Sequence, residues 1–289
     1  MVGLLALFGS STPLQAQKKV HERFAAPGQG FVRIYNIVGS VKVTGWDKDS
    51  IAVIGSAWIG PKEGFIMHRG PDGTKLGVWD ESLDASKPSH LEVYVPAKSS
   101  VWVKTGSAEV TVLGVTGSID VSSTTGGIDV GGAPRDVITE SMGGDIYLHV
   151  DTRSARAKTA GSNVRMRGTI NDVVASTVSG NLVVENGVYE RARLESVDGD
   201  VRYFGAIDRS ASLEFVNHSG AVELNIPPTT WAEFAIDTYL GTVEQEFVGV
   251  LKPINSNVKA KRYTLVLGKG GPQVSIRTFK GGIFIRRKG

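Results

Sequence analysis

Apolar side chains along this chain recur at every second position in runs of about five residues, and polar, glycine-bearing turns separate the runs. In Gly199-Asp-Val-Arg-Tyr, Val201 and Tyr203 share one face of an extended chain and Asp200 and Arg202 the other. In Gly220-Ala-Val-Glu-Leu, Val222 and Leu224 share a face and Glu223 points away. A period of two predicts half-buried strands, and no long segment carries the 3.6-residue period of a helix. The two phrases also follow matched alternations, LESVD and LEFVN, so a whole strand–glycine–strand unit returns after 21 residues.

The unit is not confined to that pair. Aligned on Gly-x-(Ile/Val)-x-(Val/Leu), it recurs at Gly106, Gly126, Gly144, Ser162, Gly180, Gly199, Gly220, Gly241 and Gly282, with an early copy at Gly39 and a half-period copy at Gly117. The spacings run from 18 to 21 residues until the last, which is 41 and reads as two periods with an intervening coil near KRYTLVL, 261–267. A second strand precedes most copies, as in DVITES, RAKTAG, VVASTV, ARLESV, ASLEFV, AEFAID and VSIRTF. Self-similarity at this period predicts an all-β fold, a β-solenoid (β-helix-like) of ~20-residue two-strand repeats. One coil buries too few side chains to offset the ordering of its own backbone, so only a stack that shares one interior is stable. The alternative is a β-propeller, in which two units of about 40 residues make one four-stranded blade. The absence of a repeated Trp-Asp or Gly-His blade signature favours the solenoid.

Three regions follow. Residues 1–16, MVGLLALFGSSTPLQA, read as the apolar region and cleavage site of a secretory signal peptide that lacks its positive n-region, and the apolar run is too short to span a bilayer. Residues 17–90 hold the strands FVRIYNI, SVKVTGW and SIAVIGSAW, then a hairpin turning at Pro71-Asp72-Gly73 and a polar loop, DESLDASKPSH, an insertion that caps the repeats or forms a specialised surface. Residues 91–289 form the repeat region.

Composition narrows the chemistry. The chain of 289 residues has 36 glycines and no cysteine, which excludes disulfides, thiolate metal sites and a cysteine nucleophile. Its net charge of +3 hides a division: from Phe247 onward there are ten basic residues and no acidic one, so the rest carries −7. Lys259, Lys261, Arg262, Arg277, Arg286 and Arg287 are the candidate patch for an anionic partner. The competing reading is protection of an unpaired edge on the last rung. His21, His68, His90, His149 and His218 are scattered without metal-ligand spacing, and no metal or other cofactor is assigned. Asp120, Asp129, Glu140, Asp145, Asp198 and Asp200 fall in successive rungs, which raises a polysaccharide lyase or hydrolase as an alternative, with Asp198 and Asp200 the first pair to test. They occupy different positions within the unit, so no catalytic residue is assigned. Asn36, Asn163, Asn181 and Asn217 lie near corners, where they are expected to bond locally or stack between rungs.

The apolar N-terminal run, followed by GSVKVTGWDKDSIAV, VPAKSSVWVKTGSAEVTVLGVTGSIDVSSTTGGIDV, the Gly-(Asp/Asn)-(Val/Leu) rungs and GGPQVSIRTFKGGIFIRR, resembles the bacterial family of proposed adhesins described as β-strand repeat-containing proteins of unknown function. The resemblance covers roughly residues 20 to 289. It implies an exported or envelope-associated β-solenoid with no established catalytic residues. The expectation is therefore a non-enzymatic exported protein, periplasmic, cell-surface or secreted. It would act as an adhesin-like binding surface or envelope scaffold toward a glycan, an anionic lipid or a protein. Nucleic acid is not expected as a partner. A self-assembling filament subunit is a further alternative.

Overall fold

The computed structural model describes residues 16–59, 64–79, 87–255 and 260–288, and every regular element among them is a strand. The N-terminal strands are β1 (Ala16–Ala25), β2 (Phe31–Asn36), β3 (Gly39–Trp46), β4 (Ser50–Ile59), β5 (Gly64–Gly70), β6 (Gly73–Trp79) and β7 (Ser89–Pro96). The middle is built from β8 (Ser100–Thr105), β9 (Glu109–Leu113), β10 (Ser118–Ser123), β11 (Ile128–Gly132), β12 (Asp136–Ser141), β13 (Ile146–Val150), β14 (Thr152–Thr159), β15 (Val164–Thr177) and β16 (Leu182–Ser196). There follow β17 (Val201–Phe204), β18 (Ser212–Asn217), β19 (Val222–Ile226), β20 (Ala232–Thr238), β21 (Val243–Gln245), β22 (Lys252–Asn255), β23 (Lys261–Leu267), β24 (Gln273–Thr278) and β25 (Ile283–Arg287). The proposed signal peptide lies almost wholly outside the described residues.

Through the repeats from β8 to β19, each strand segment pairs in parallel with its equivalent one coil away. One column runs β8, β10, β12, β14, then the second halves of β15 and β16, then β18. The other runs β9, β11, β13, the first halves of β15 and β16, then β17 and β19. Register follows the repeat: Val101 pairs with Ile119, Ile119 with Val137 and Val137 with Ala155, eighteen residues per coil. A bulge between Arg167 and Thr169 lengthens the step to nineteen, and Val201 to Val222 spans twenty-one. Pairing of Val110 with Ile128 puts Ala108 rather than Gly106 in the place of Gly126, which corrects the first spacing from twenty to eighteen. This solenoid-like stacking leaves no four-stranded antiparallel blade among the described residues, so the propeller alternative is overturned.

The ends depart from linear order. β2 and β3 lie between the coil of β6 and β7 and the coil of β8 and β9. At the other end β24 pairs with both β18 and β20, and β25 with both β19 and β21. The C-terminal phrase therefore fills the penultimate slot. β23, expected as a skipped coil, instead pairs antiparallel with β20 and carries β22 on its far side. The basic C-terminal strand is thus not the terminal edge. Antiparallel strands cover both ends: β5 on β6, β4 on β7, β1 on β4, and β23 on β20. Capping of this kind removes long open edges from a repeat stack. The β5–β6 hairpin turns where Pro71-Asp72-Gly73 predicts, with Gly73 in the left-handed region at φ 106°.

Alternating side chains from both columns meet in one continuous core. Val201, Tyr203, Val222 and Leu224 are fully buried in it, together with equivalents such as Val110, Ile128, Ile146, Val164, Leu182 and Ile283, while Val243 in the last coil is only partly buried. Tyr189, Tyr203 and Phe215 pack edge to face with centroids 6.0 and 5.9 Å apart. Burial pushes both phenols well above the usual tyrosine range. The Tyr203 hydroxyl donates to Ala206 O at 2.6 Å, whereas the buried Tyr189 hydroxyl has no partner. A buried unpaired hydroxyl costs about 1–3 kcal/mol. Tyr189→Phe is accordingly expected to raise the urea midpoint and Tyr203→Phe to lower it.

The two corners of each coil solve the turn differently. Between the two halves of β15, Gly168 is left-handed at φ 113°, and one coil later, between the halves of β16, Asn186 takes φ 48°. At the opposite corner Gly126, Gly144, Gly180, Gly199, Gly220 and Gly281 are not left-handed. They are required by close approach: a Cβ on Gly144 would stand 2.0 Å from Gly126 O, and one on Gly199 1.8 Å from Gly180 O. A buried hydroxyl or amide three residues earlier completes this corner. Ser141 Oγ accepts from Gly144 N at 2.8 Å and donates to Gly126 O at 3.3 Å. Ser196 and Asn217 repeat the arrangement with Gly199 and Gly220.

Candidate functional site

The corner motif, (Ser/Thr/Asn)-x-x-Gly, has an outward consequence. Its first and last residues face inward, so the two between them project from the stack. Parallel backbone bonds hold these turns in line: Met142 N donates to Thr124 O, Gly161 N to Met142 O, Asp198 N to Val178 O, Lys280 N to His218 O and Leu240 N to Phe279 O. The first projecting position therefore forms a row through Met142, Ala160, Val178, Val197, His218, Phe279 and Tyr239. Met142 is 67% exposed, Val178 50%, Val197 39% and Phe279 38%. The row ends in a three-ring stack, His218 on Phe279 at 4.8 Å and 5°, and Phe279 on Tyr239 at 5.0 Å and 12°. Scattered exposed apolar residues are normal, but a contiguous apolar ridge marks a surface that meets something. Alignment on glycine alone conceals this row; alignment on the small polar residue three positions earlier reveals it.

The basic residues singled out from sequence are divided between surfaces. Arg262 and Arg277 lie on the outer face of the first column and flank Asp237, at 3.3 and 4.0 Å, while Arg277 also reaches Glu214 at 3.7 Å. Glu214 in turn meets Arg193 at 2.7 Å, so charge alternates from rung to rung. On the other column Arg286 pairs with Glu223 at 3.3 Å. The Arg287 guanidinium lies 5.6 Å over the Phe247 ring, and Lys261 Nζ donates to Gly241 O at 3.4 Å. Lys259 lies outside the described residues.

The acids are likewise dispersed. Asp145, Asn163, Asn181 and Asp200 form a ladder beside the corner, each side-chain oxygen accepting the backbone N–H of the next coil at 2.9–3.0 Å. Asp200 also meets Arg202 at 2.9 Å, and Asp198 stands exposed on the turn. Asn163 and Asn181 thus stack between rungs as expected, and Asn217 bonds locally. A shallow groove of about 530 Å³ is lined by Glu109, Asp129, Asp145 and Tyr147, with the Tyr147 hydroxyl donating to Asp145 at 3.2 Å. Among the described residues no cluster of three histidines or carboxylates could hold a metal ion.

Asp120 sits in register between Trp102 and Ile138 on neighbouring coils. Burial there, and secondly the charge of Glu140, holds its carboxyl above the usual range. A raised folded-state value means that the native chain holds this proton more tightly than the unfolded chain. Its contribution to stability is fully present below the ordinary carboxylate value and is lost as pH rises through the raised one. Asp120→Asn is expected to raise the melting temperature at about pH 7 and leave it unchanged at about pH 3, where both states are protonated.

The family model of Toastrack DUF4097 matches residues 61–286. Among solved structures, a proposed lipid-binding protein from Parabacteroides distasonis ATCC 8503 superposes with a TM-score of 0.50 at 7% identity, covering 92% of this chain and 96% of its own. A proposed adhesin from Bacteroides fragilis NCTC 9343 gives 0.46 at 11% identity, covering 93% and 97%. A proposed cell adhesion protein from Clostridium sporogenes ATCC 15579 gives 0.26 at 12% identity, covering 94% and 100%. At 7% identity the likeness to the proposed lipid-binding protein is one of fold alone. No curated protein matches the sequence. No helix among the described residues is long and apolar enough to cross a membrane.

Proposed function

The chain belongs to the Toastrack DUF4097 family, and from that premise we propose that it works without catalysis, as an exported two-strand β-solenoid whose corner ridge is an adhesin-like binding surface or a docking rail in the cell envelope. The observation that carries this reading is the ridge itself: seven stacked positions from Met142 to Tyr239, apolar or aromatic throughout. The stack supplies rigidity, so the ridge is preorganised and loses little freedom on binding. The solved structure named as a proposed lipid-binding protein, which shares the fold, is in keeping with a binding role. The acids that raised glycan cleavage support it too, since Asp145 and Asp200 are occupied in holding successive coils together.

The test compares the wild-type chain with Met142→Ser/Val178→Ser/Phe279→Ser for retention on immobilised envelope glycans and envelope proteins. Retention by the wild type and its loss in the variant, at matched melting temperatures, is the expected result. Equal retention of the two chains, or release of product from a uronate polymer by either, would sink the reading.

A further inference from the structure

The C-terminal end of the stack carries a second surface, separate from the ridge. After β21 the chain passes through Phe247-Val-Gly-Val-Leu, an apolar sequence where a surface turn is normally polar. Val248 is 99% exposed and Val250 70%; Val266 on β23 and Trp231 beside β20 are 53% and 45% exposed. Two shallow depressions share Phe247 and Val248. One, of about 490 Å³, is lined by Val250, Lys252 and Val266; the other, of about 240 Å³, by Trp231 and Arg287. Cations surround this apolar tip. Lys269 and Arg209 lie 5.5 and 5.8 Å over the Trp231 ring, and Arg287 lies over Phe247. From Phe247 to the last residue there is no carboxylate side chain. At the margin, Glu246 accepts the Arg287 backbone N–H and Glu233 accepts from Gln273.

We propose that this end docks on the headgroup layer of an anionic phospholipid bilayer. Val248 and Val250 enter the acyl boundary, Trp231 lies at headgroup level, and Lys252, Lys269, Arg209 and Arg287 meet phosphates. Apolar insertion combined with a cationic rim is the chemistry of interfacial membrane binding, and neither part suffices alone. Charge opposes a second copy of this chain as the occupant. The far end of the stack is closed by β1 and β5, whose outer strands carry Lys18, Lys19 and Arg69, so end-to-end contact would bring cations together.

Vesicle co-sedimentation tests the proposal, with phosphatidylcholine alone against equal parts of phosphatidylcholine and phosphatidylglycerol. The full chain is expected to bind the mixed vesicles, to release as salt rises, and to leave the neutral ones unbound. Val248→Asp/Val250→Asp and Lys252→Glu/Lys269→Glu should each weaken binding by about tenfold or more. Both pairs are exposed, and an unchanged melting temperature verifies that they fold. The serine variant of the ridge should bind vesicles like the wild type, which separates this site from the ridge. Absence of binding, equal binding to neutral vesicles, or wild-type binding by both tip variants would overturn the proposal, as would retention only on an acidic protein or glycan.

Discussion

Gly144→Ala is expected to cost about 3 kcal/mol or more, while Gly143→Ala, one residue earlier, leaves stability nearly unchanged. The contrast rests on geometry. A Cβ on Gly144 would lie 2.0 Å from Gly126 O and 2.4 Å from its carbonyl carbon, whereas one on Gly143 would meet Thr125 Cγ2 at an ordinary 3.5 Å. The obstacle at Gly144 is backbone, held by the hydrogen bonds of the column, so it cannot rotate aside. The corners that lack glycine indicate what the chain would lose. Where Ala108 stands, the buried Thr105 hydroxyl has no partner, and where Ser162 stands, Thr159 Oγ1 reaches Gly144 O only at 3.5 Å. Gly144→Ala should therefore combine a spread corner with loss of the 2.8 Å bond from its N–H to Ser141. Urea midpoints of the two variants decide the matter: similar values would show that the corner has room, and the close-approach account would be wrong.

Truncation after Leu267 is expected to dismantle the C-terminal end and not simply to shorten the stack. Read linearly, residues 268–289 are the last coil and look dispensable. In the structure β24 and β25 are wedged between the coil of β18 and β19 and the coil of β20 and β21. Their removal deletes the buried Val274, Ile276, Ile283 and Ile285 from the interior and takes away every parallel partner of β20 and β21 among the described residues. What remains there, β20 with β23 and β22, is a small antiparallel group with no coil beneath it, and such a group is marginal by itself. Limited proteolysis of the truncated chain should yield a resistant fragment ending near Ile226, whereas the full chain resists beyond it. If β20 remained protected, by pairing directly with β18, the wedge would not be essential and the prediction would fail.

Much of this architecture is legible in a single sequence because it is local. Alternation decides which side chains face inward, and a two-residue period leaves no choice once one face is apolar. Val201, Tyr203, Val222 and Leu224 were identifiable as core for that reason, and the coil length was readable from the spacing of the glycines. The turn at Pro71-Asp72-Gly73 was equally local. The ridge was only half legible: each of its residues is an unremarkable turn position, and their alignment into a row appears when successive corners are placed over one another.

The order of coils at the two ends belongs to tertiary structure alone. Every coil presents the same pattern of backbone donors and acceptors and the same apolar interior, so local sequence makes the coils nearly interchangeable as neighbours. What discriminates among them acts between residues far apart in the chain. Arg277 fits between Glu214 and Asp237, Arg286 meets Glu223, and β23 folds back across β20 so that the open edge is closed. Those contacts span from about 20 to more than 60 residues of chain, beyond the reach of any periodic pattern, and only the assembled stack brings them together.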